Sequence, residues 1–280
     1  MNKRRRREIY PSQVIRSKSF GDLPEDVMSI IFRKLGIIEV LLRTQYVCSS
    51  WLKLAKKPHV YHSVVIQHKS YDYHYHFEKF VKKAVDRSCG QLLQFSCDRP
   101  ICISKGLLLY LSSQSFSSLK YLRLGSQTYV SNAVLTEAVK KLPLLEELDV
   151  WINRHHPKKL IRELGCSCPQ LNYLRLNYHD EIEYTCDCKE FAITKDERES
   201  TCDCYAFAIA KELPQLLHLR LTGWVLTVNG LQAIVDGCTH LKFLDCRKCV
   251  YLGLDVDLLK ICASRIANIW LPESRIIEDL

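Results

Sequence analysis

From residue 92 to the C-terminus, apolar positions return in one six-residue frame. It reads Leu92-x-x-Phe95-x-Cys97, Leu119-x-x-Leu122-x-Leu124, Leu145-x-x-Leu148-x-Val150 and Leu171-x-x-Leu174-x-Leu176, then Leu216-x-x-Leu219-x-Leu221, Leu241-x-x-Leu244-x-Cys246 and Ile266-x-x-Ile269-x-Leu271. The steps between first positions are 27, 26, 26, 45, 25 and 25 residues. The last two apolar positions of each frame are two residues apart and so share one face of a short strand. Between frames, residues 132–141, 158–164, 203–213, 229–235 and 257–264 space their apolar side chains by three and four, which predicts helices. One strand plus one helix cannot bury both apolar faces, so the units must stack into a curved solenoid with strands on the concave side and helices on the convex side. The expected fold class is α/β, with about seven strand–helix repeats and a parallel concave sheet.

The N-terminal pattern is different. Asp22 can N-cap a helix, Pro24 suits its first turn and Glu25 stands at the return position of a capping box. Val27, Ile30, Ile31 and Leu35 follow at helical spacing, and Gly36 ends the run. A second helix is expected over 39–43 and a third over 46–56, stopped by Pro58. Three short helices in under forty residues do not make a comfortable core of their own, so they call for a partner.

The combination Leu23-Pro24-Glu25-Asp26-Val27, Leu41-Leu42-Arg43 and Val47-Cys48-x-x-Trp51 resembles the F-box, and the period of about 26 residues resembles leucine-rich repeats. Together they look like the F-box/leucine-rich-repeat class, most of all its plant members. The resemblance implies a three-helix F-box over 21–62 and the solenoid over 63–280; the basic stretch at 1–20 ahead of them is expected as a disordered tail. It also implies a non-catalytic substrate receptor of an SCF-type ubiquitin ligase, docking on a Skp-type adaptor and through it a cullin, while the repeats hold an unknown protein substrate. By the same resemblance Leu23, Pro24, Val27, Ile31, Leu35, Leu41, Val47, Cys48 and Trp51 form the adaptor-binding set and its apolar support. A leucine-rich-repeat scaffold that binds a protein partner without recruiting a ligase is the alternative.

Strand alternation places Tyr121, Arg123, Tyr173, Arg175, His218, Arg220, Phe243 and Trp270 on the concave side, with Glu147, Asp149, Asp245 and Asn268 among them. Aromatics and arginines are enriched at interface anchors, which makes this the substrate-binding face.

Charge changes the picture little. Of the net +9, six charges fall in the first twenty residues, where Lys3, Arg4, Arg5, Arg6, Arg7, Arg16 and Lys18 face only Glu8. That run reads as a nuclear import signal or a solvated tail, giving nucleus and/or cytoplasm as the compartment. The remainder is nearly balanced, which disfavours a nucleic-acid partner. No apolar run is long enough for a membrane span.

Fourteen cysteines without an export signal read as reduced thiols. Cys89, Cys168 and Cys238 stand three residues before a frame's first position, and Cys97 and Cys246 close a frame, so all five are expected as buried fillers. The 45-residue step holds a duplicated insert around 185–204, Thr185-Cys186-Asp187-Cys188 recurring as Thr201-Cys202-Asp203-Cys204, whose first copy is expected as a protruding loop or an extra helical turn and whose second feeds a regular helix. Four cysteines can hold zinc, yet duplicating one Cys-x-Cys yields four without any metal, so no metal or other cofactor is assigned. Tyr71, Tyr73, His74, Tyr75 and His76 read as a polar connector, and His155-His156-Pro157 as a turn before a helix. No phosphate loop, nucleophile elbow or zinc-protease motif is present.

Overall fold

A computed structural model of the chain describes residues 23–66, 77–97, 103–115, 117–125, 130–152, 157–178, 203–252 and 256–271. Asp22, the basic run, the 71–76 connector, the His155-His156 turn, Phe116 and the first Cys-x-Cys copy lie outside them.

The N-terminal unit is α1 (Glu25–Leu35), α2 (Ile37–Leu42), a 3-10 turn at Thr44–Tyr46, α3 (Ser49–Leu54) and a second 3-10 turn at Pro58–Tyr61. The first helix starts two residues later than a capping box at Asp22 requires. Pro24 is its N-cap, without a side-chain cap, and the Pro24 carbonyl accepts the first helical bond from Met28. Gly36 joins α1 to α2 at φ 87°, a left-handed value that favours glycine.

Strand and helix then alternate: β1 (Ser63–Ile66), α4 (Phe77–Arg87), β2 (Gln94–Cys97), α5 (Lys105–Gln114), β3 (Tyr121–Leu124), α6 (Asn132–Val139), β4 (Glu147–Ile152), α7 (Pro157–Ser167), β5 (Tyr173–Tyr178), α8 (Cys204–Glu212), β6 (His218–Thr227), α9 (Val228–Gly237), β7 (Phe243–Leu252), α10 (Val256–Arg265) and β8 (Asn268–Trp270). All eight strands pair in parallel in chain order, the arrangement of a leucine-rich-repeat solenoid. The frame leucines align across the sheet, Leu122 with Leu148, Leu174 with Leu219 and Leu219 with Leu244, and all are buried against the helix layer.

The sheet has one strand more than the seven frames. Tyr61-x-x-Val64-x-Ile66 is an eighth copy, its register fixed by Val64 beside Phe95 and Ile66 beside Cys97. Tyr61 takes the place of the frame leucine and is fully buried. This tyrosine ties the two parts together. Its hydroxyl donates to the Ala55 carbonyl (2.6 Å) and accepts from Arg87 Nη1 (2.7 Å). Arg87, on α4, also donates to the Ala55 carbonyl (3.1 Å) and to Gln45 Oε1 (3.0 Å). One guanidinium of the first repeat thus satisfies acceptors from three N-terminal segments.

The cysteine frame behaves as expected with one exception. Cys97, Cys168, Cys238 and Cys246 are buried. Cys168 Sγ donates to the Leu142 carbonyl (3.4 Å) and Cys238 Sγ to the Leu213 carbonyl (3.6 Å), so each thiol serves a carbonyl beyond the end of the preceding helix. Burial pushes both thiols up to about 12, which keeps them protonated and unreactive. Cys89 is exposed instead, at φ 49°. The turn before β2 is one residue longer than the turn before β5, so the buried position falls to Ser88, whose hydroxyl donates to the Val85 carbonyl (2.6 Å).

Adjacent helices on the convex side approach closely at Gly165 and Gly237. A Cβ at Gly165 would stand 2.3 Å from the Glu212 carbonyl oxygen, and one at Gly237 would stand 2.4 Å from that of Ala210. Gly106, in the first turn of α5, has only the Ser104 hydroxyl near, at 3.8 Å. Gly106→Ala is therefore expected to raise stability by about 0.5 kcal/mol, the ordinary helical gain. Gly165→Ala is expected to lower it by about 1–3 kcal/mol through overpacking. Urea unfolding of the two variants checks the opposite signs.

Candidate functional site

Two surfaces carry the exposed side chains that the sequence singles out. The first is α1 with the segment before α3. Met28, Ser29 and Phe32 form the inward face of α1. Phe32 meets Trp51 edge-on at 5.5 Å, and the Ser29 hydroxyl lies 2.9 Å from His59 Nε2. Satisfying that face leaves Leu23, Pro24, Val27, Ile30 and Leu35 exposed on α1 and its approach, with Tyr46, Val47 and Cys48 exposed beyond α2. Tyr46 is 73 % and Val47 62 % exposed.

The expected adaptor set therefore divides. Leu23, Pro24, Val27, Leu35, Val47 and Cys48 are open to a partner, whereas Ile31 and Trp51 are half-buried against the core and support the helices from beneath. Leu41 is 2 % exposed, so it belongs to the core and cannot face a partner. Ile30 and Tyr46, which the expected set omits, are exposed as well. The 3.6-residue period carries Ile30 on the same outward stripe as Val27. The Cys48 thiol, held 3.0 Å from the Ser50 hydroxyl, is shifted below its ordinary value by that contact and the Trp51 backbone N–H.

The second surface is the helix-free face of the sheet, where side chains between the frame leucines form two rows. Register sets Gln94, Tyr121, Glu147, Tyr173, His218, Phe243 and Asn268 in one row, and Ser96, Arg123, Asp149, Arg175, Arg220, Asp245 and Trp270 in the next. All eight candidate substrate residues lie in these rows. The first row stacks: Tyr173 to His218 at 5.9 Å, His218 to Phe243 at 5.8 Å, and Phe243 to Trp270 of the neighbouring row at 5.0 Å. A depression of about 250 Å³ opens at the β2–β5 end between Gln94, Tyr121, Arg123, Glu147, Asp149 and Tyr173.

Two nearly buried carboxylates organise the charged row. Asp149 pairs with Arg123 Nε (3.3 Å) and Arg175 Nη1 (3.4 Å) and accepts from Asn177 Nδ2 (3.1 Å). Asp245 accepts from Arg247 Nε and Nη2, both at 3.0 Å, and from the Arg247 backbone N–H at 3.2 Å. Arg220 Nε stands 3.0 Å from Asp245 as an ion pair, off the line of a hydrogen bond. Burial opposes the charged form of Asp245, but the Arg247 hydrogen bonds and the Arg220 charge outweigh it and hold the carboxyl below the ordinary carboxylate value. Arg247 also lies over the Trp270 ring, 4.0 Å from its centre.

Among the described residues no cluster of histidine, cysteine, aspartate or glutamate could hold a metal. Cys204 alone of the four duplicated cysteines is described, and it is buried at the start of α8, the regular helix fed by the second copy. No described helix is long and apolar enough to cross a membrane.

A short helical unit with an outward apolar stripe, joined to a parallel strand–helix solenoid, defines the F-box/leucine-rich-repeat class. The F-box-like family model matches residues 20–67. The chain is 35 % identical to F-box/LRR-repeat protein 23 of Arabidopsis thaliana over 91 % of its own length and 54 % of that protein's, so it spans about half of that relative. It is 32 % identical to F-box/LRR-repeat protein 9 of the same plant over 87 % of this chain and 93 % of that one, and 32 % identical to F-box protein SKIP19 over 94 % and 80 %. The chain belongs to the F-box/LRR-repeat proteins.

Because the folded-state value of Asp245 is depressed, its contribution to stability is complete above about pH 3.9, the usual unfolded carboxylate value, and is lost as pH falls through the lower folded value. Asp245→Asn is expected to cost on the order of 2 kcal/mol at neutral pH by leaving Arg220 and Arg247 without their carboxylate. The gap to the wild type should narrow below pH 4, and thermal melts across pH read it.

Proposed function

We propose that this chain is the substrate-recognition subunit of an SCF-type ubiquitin ligase. The stripe of Leu23, Val27, Ile30, Tyr46 and Val47 docks on a Skp-type adaptor and through it a cullin. The open face of the repeats binds the protein to be modified. The observation that carries this reading is that apolar stripe, left over after Met28, Phe32, Leu41 and Trp51 have closed the core, on a chain whose relatives bear the F-box name. A central apolar anchor at such a surface is worth ~2 kcal/mol or more on truncation.

Such a subunit needs no catalytic residue. Holding a target lysine near a charged ubiquitin carrier raises its effective concentration and fixes its approach, which accelerates transfer by proximity alone. The contacts of Arg87 with Ala55, Tyr61 and Gln45 favour that role, because they hold the docking end and the target end in one orientation. The proposed compartment is nucleus or cytoplasm, on the basis of the free thiols and of the basic run that includes Arg4 and Arg5.

Val27→Glu with Ile30→Glu is expected to abolish co-purification with the adaptor while leaving the melting temperature within a few degrees of wild type, since both side chains are exposed. Phe32→Ala, by contrast, should cost about 3–5 kcal/mol of folding stability. Retained adaptor capture by the glutamate pair would count against the docking surface.

A further inference from the structure

The charged row of the open face carries more positive charge than the fold uses. Arg123 and Arg175 share the single carboxylate of Asp149, and Arg220 and Arg247 share that of Asp245. Arg175 and Arg220 are direct register partners on β5 and β6, about 4.8 Å apart at the spacing of neighbouring strands. Like charges facing each other across a strand pair are destabilising, and each arginine is turned towards the aspartate on its far side. Among the described residues no hydrogen bond reaches either terminal nitrogen of Arg220, and its Nε is buried with no hydrogen-bond partner. Arg175 spends Nε on Asn177 and Nη1 on Asp149, which leaves Nη2.

Deepening the receptor reading on which it rests, we propose that the open face selects a carboxylate-rich acidic segment of its target protein, whose Asp or Glu side chains seat between Arg175 and Arg220. A carboxylate there would accept from both guanidinium edges, supplying the counter-charge that Asp149 and Asp245 do not. In this row four arginines face two aspartates. Glu147 of the neighbouring row offsets one of the two surplus charges, and what remains matches single negative charges along a peptide. Asp149 and Asp245 stand against the same arginines and would repel a concentrated dianion. Beside the fork, Tyr173, His218 and Phe243 stack in an unbroken series that offers flat apolar area to the residues flanking the acids.

The test is fluorescence anisotropy of the full 280-residue chain with a labelled peptide in which glutamate alternates with glycine. About ten residues suffice, the length an extended chain needs to cross from β2 to β8. Saturable binding that weakens with salt is expected, with none to the matching glutamine peptide. Arg175→Gln with Arg220→Gln should weaken it about tenfold or more, as loss of charged hydrogen bonds predicts. Lys140→Gln with Lys211→Gln, which removes the same charge from the helix side, should leave it unchanged. If the glutamine pair melts early, Arg175→Lys with Arg220→Lys replaces it; that pair keeps the charge without the fork and should bind several-fold more weakly.

Absence of binding, equal binding by the wild type and the arginine variants, or preference for a phosphoserine peptide or single-stranded RNA over the glutamate peptide each overturns the proposal. Adaptor capture by the same preparation separates the two readings. Capture without peptide binding removes the acidic preference alone, and peptide binding without capture removes the ligase role and keeps the anion fork.

Discussion

Each strand–turn–helix unit of this chain carries more apolar surface than it can bury by itself, and the structure follows from that excess. Leu122, Leu148, Leu174, Leu219 and Leu244 are each fully buried because a neighbouring unit repeats the same frame. Burying one such leucine is worth roughly 1.5–3 kcal/mol. The row works only in parallel register, and register in turn sets every intervening side chain on the open face. The same leucines that hold the solenoid together therefore compose the rows from Gln94 to Asn268 and from Ser96 to Trp270.

The N-terminal helices solve the excess differently. They pack one face of α1 inward and reach the first repeat through Tyr61, which serves as the frame residue of β1 and as hydrogen-bond partner of Ala55 and Arg87. That joint makes the helical unit part of the repeat stack, while the outer stripe of α1 remains unpaid for within the chain. Under the proposed function, two ends joined this way would transmit orientation as well as attachment, which transfer by proximity requires.

Much of this was legible in the sequence, because a repeat states its own boundaries. The frames at Leu119, Leu145, Leu171, Leu216 and Leu241 gave strands, faces and the row of candidate side chains. The frame at Tyr61 was hidden by an aromatic in the leucine position and by its overlap with the helical unit. The two apolar stripes of α1 could not be sorted from periodicity, since Val27 with Ile30 and Met28 with Phe32 are both helical pairs. Trp51 and His59, far along the chain, decide which one turns inward. Cys89 misled because one extra residue in its turn moved the buried place to Ser88. β6 runs on through Gly223 at φ 76° to bury Trp224, whose Nε1 donates to the Leu176 carbonyl at 3.1 Å, and no frame residue announces that extension. The juxtaposition of Arg175 and Arg220 was also out of reach, because it depends on strand pairing across the 45-residue step.

Under the proposed function, the outward stripe of α1 and the segment around Val47 are surplus to folding and become covered by an adaptor. Hydrogen–deuterium exchange of the chain with and without the Skp-type adaptor reads this out. New protection is expected at residues 23–35 and 44–54 alone, with the strands of the open face unchanged. Protection on β3–β7 instead, or none at α1 in a complex that demonstrably forms, would rule the docking surface out.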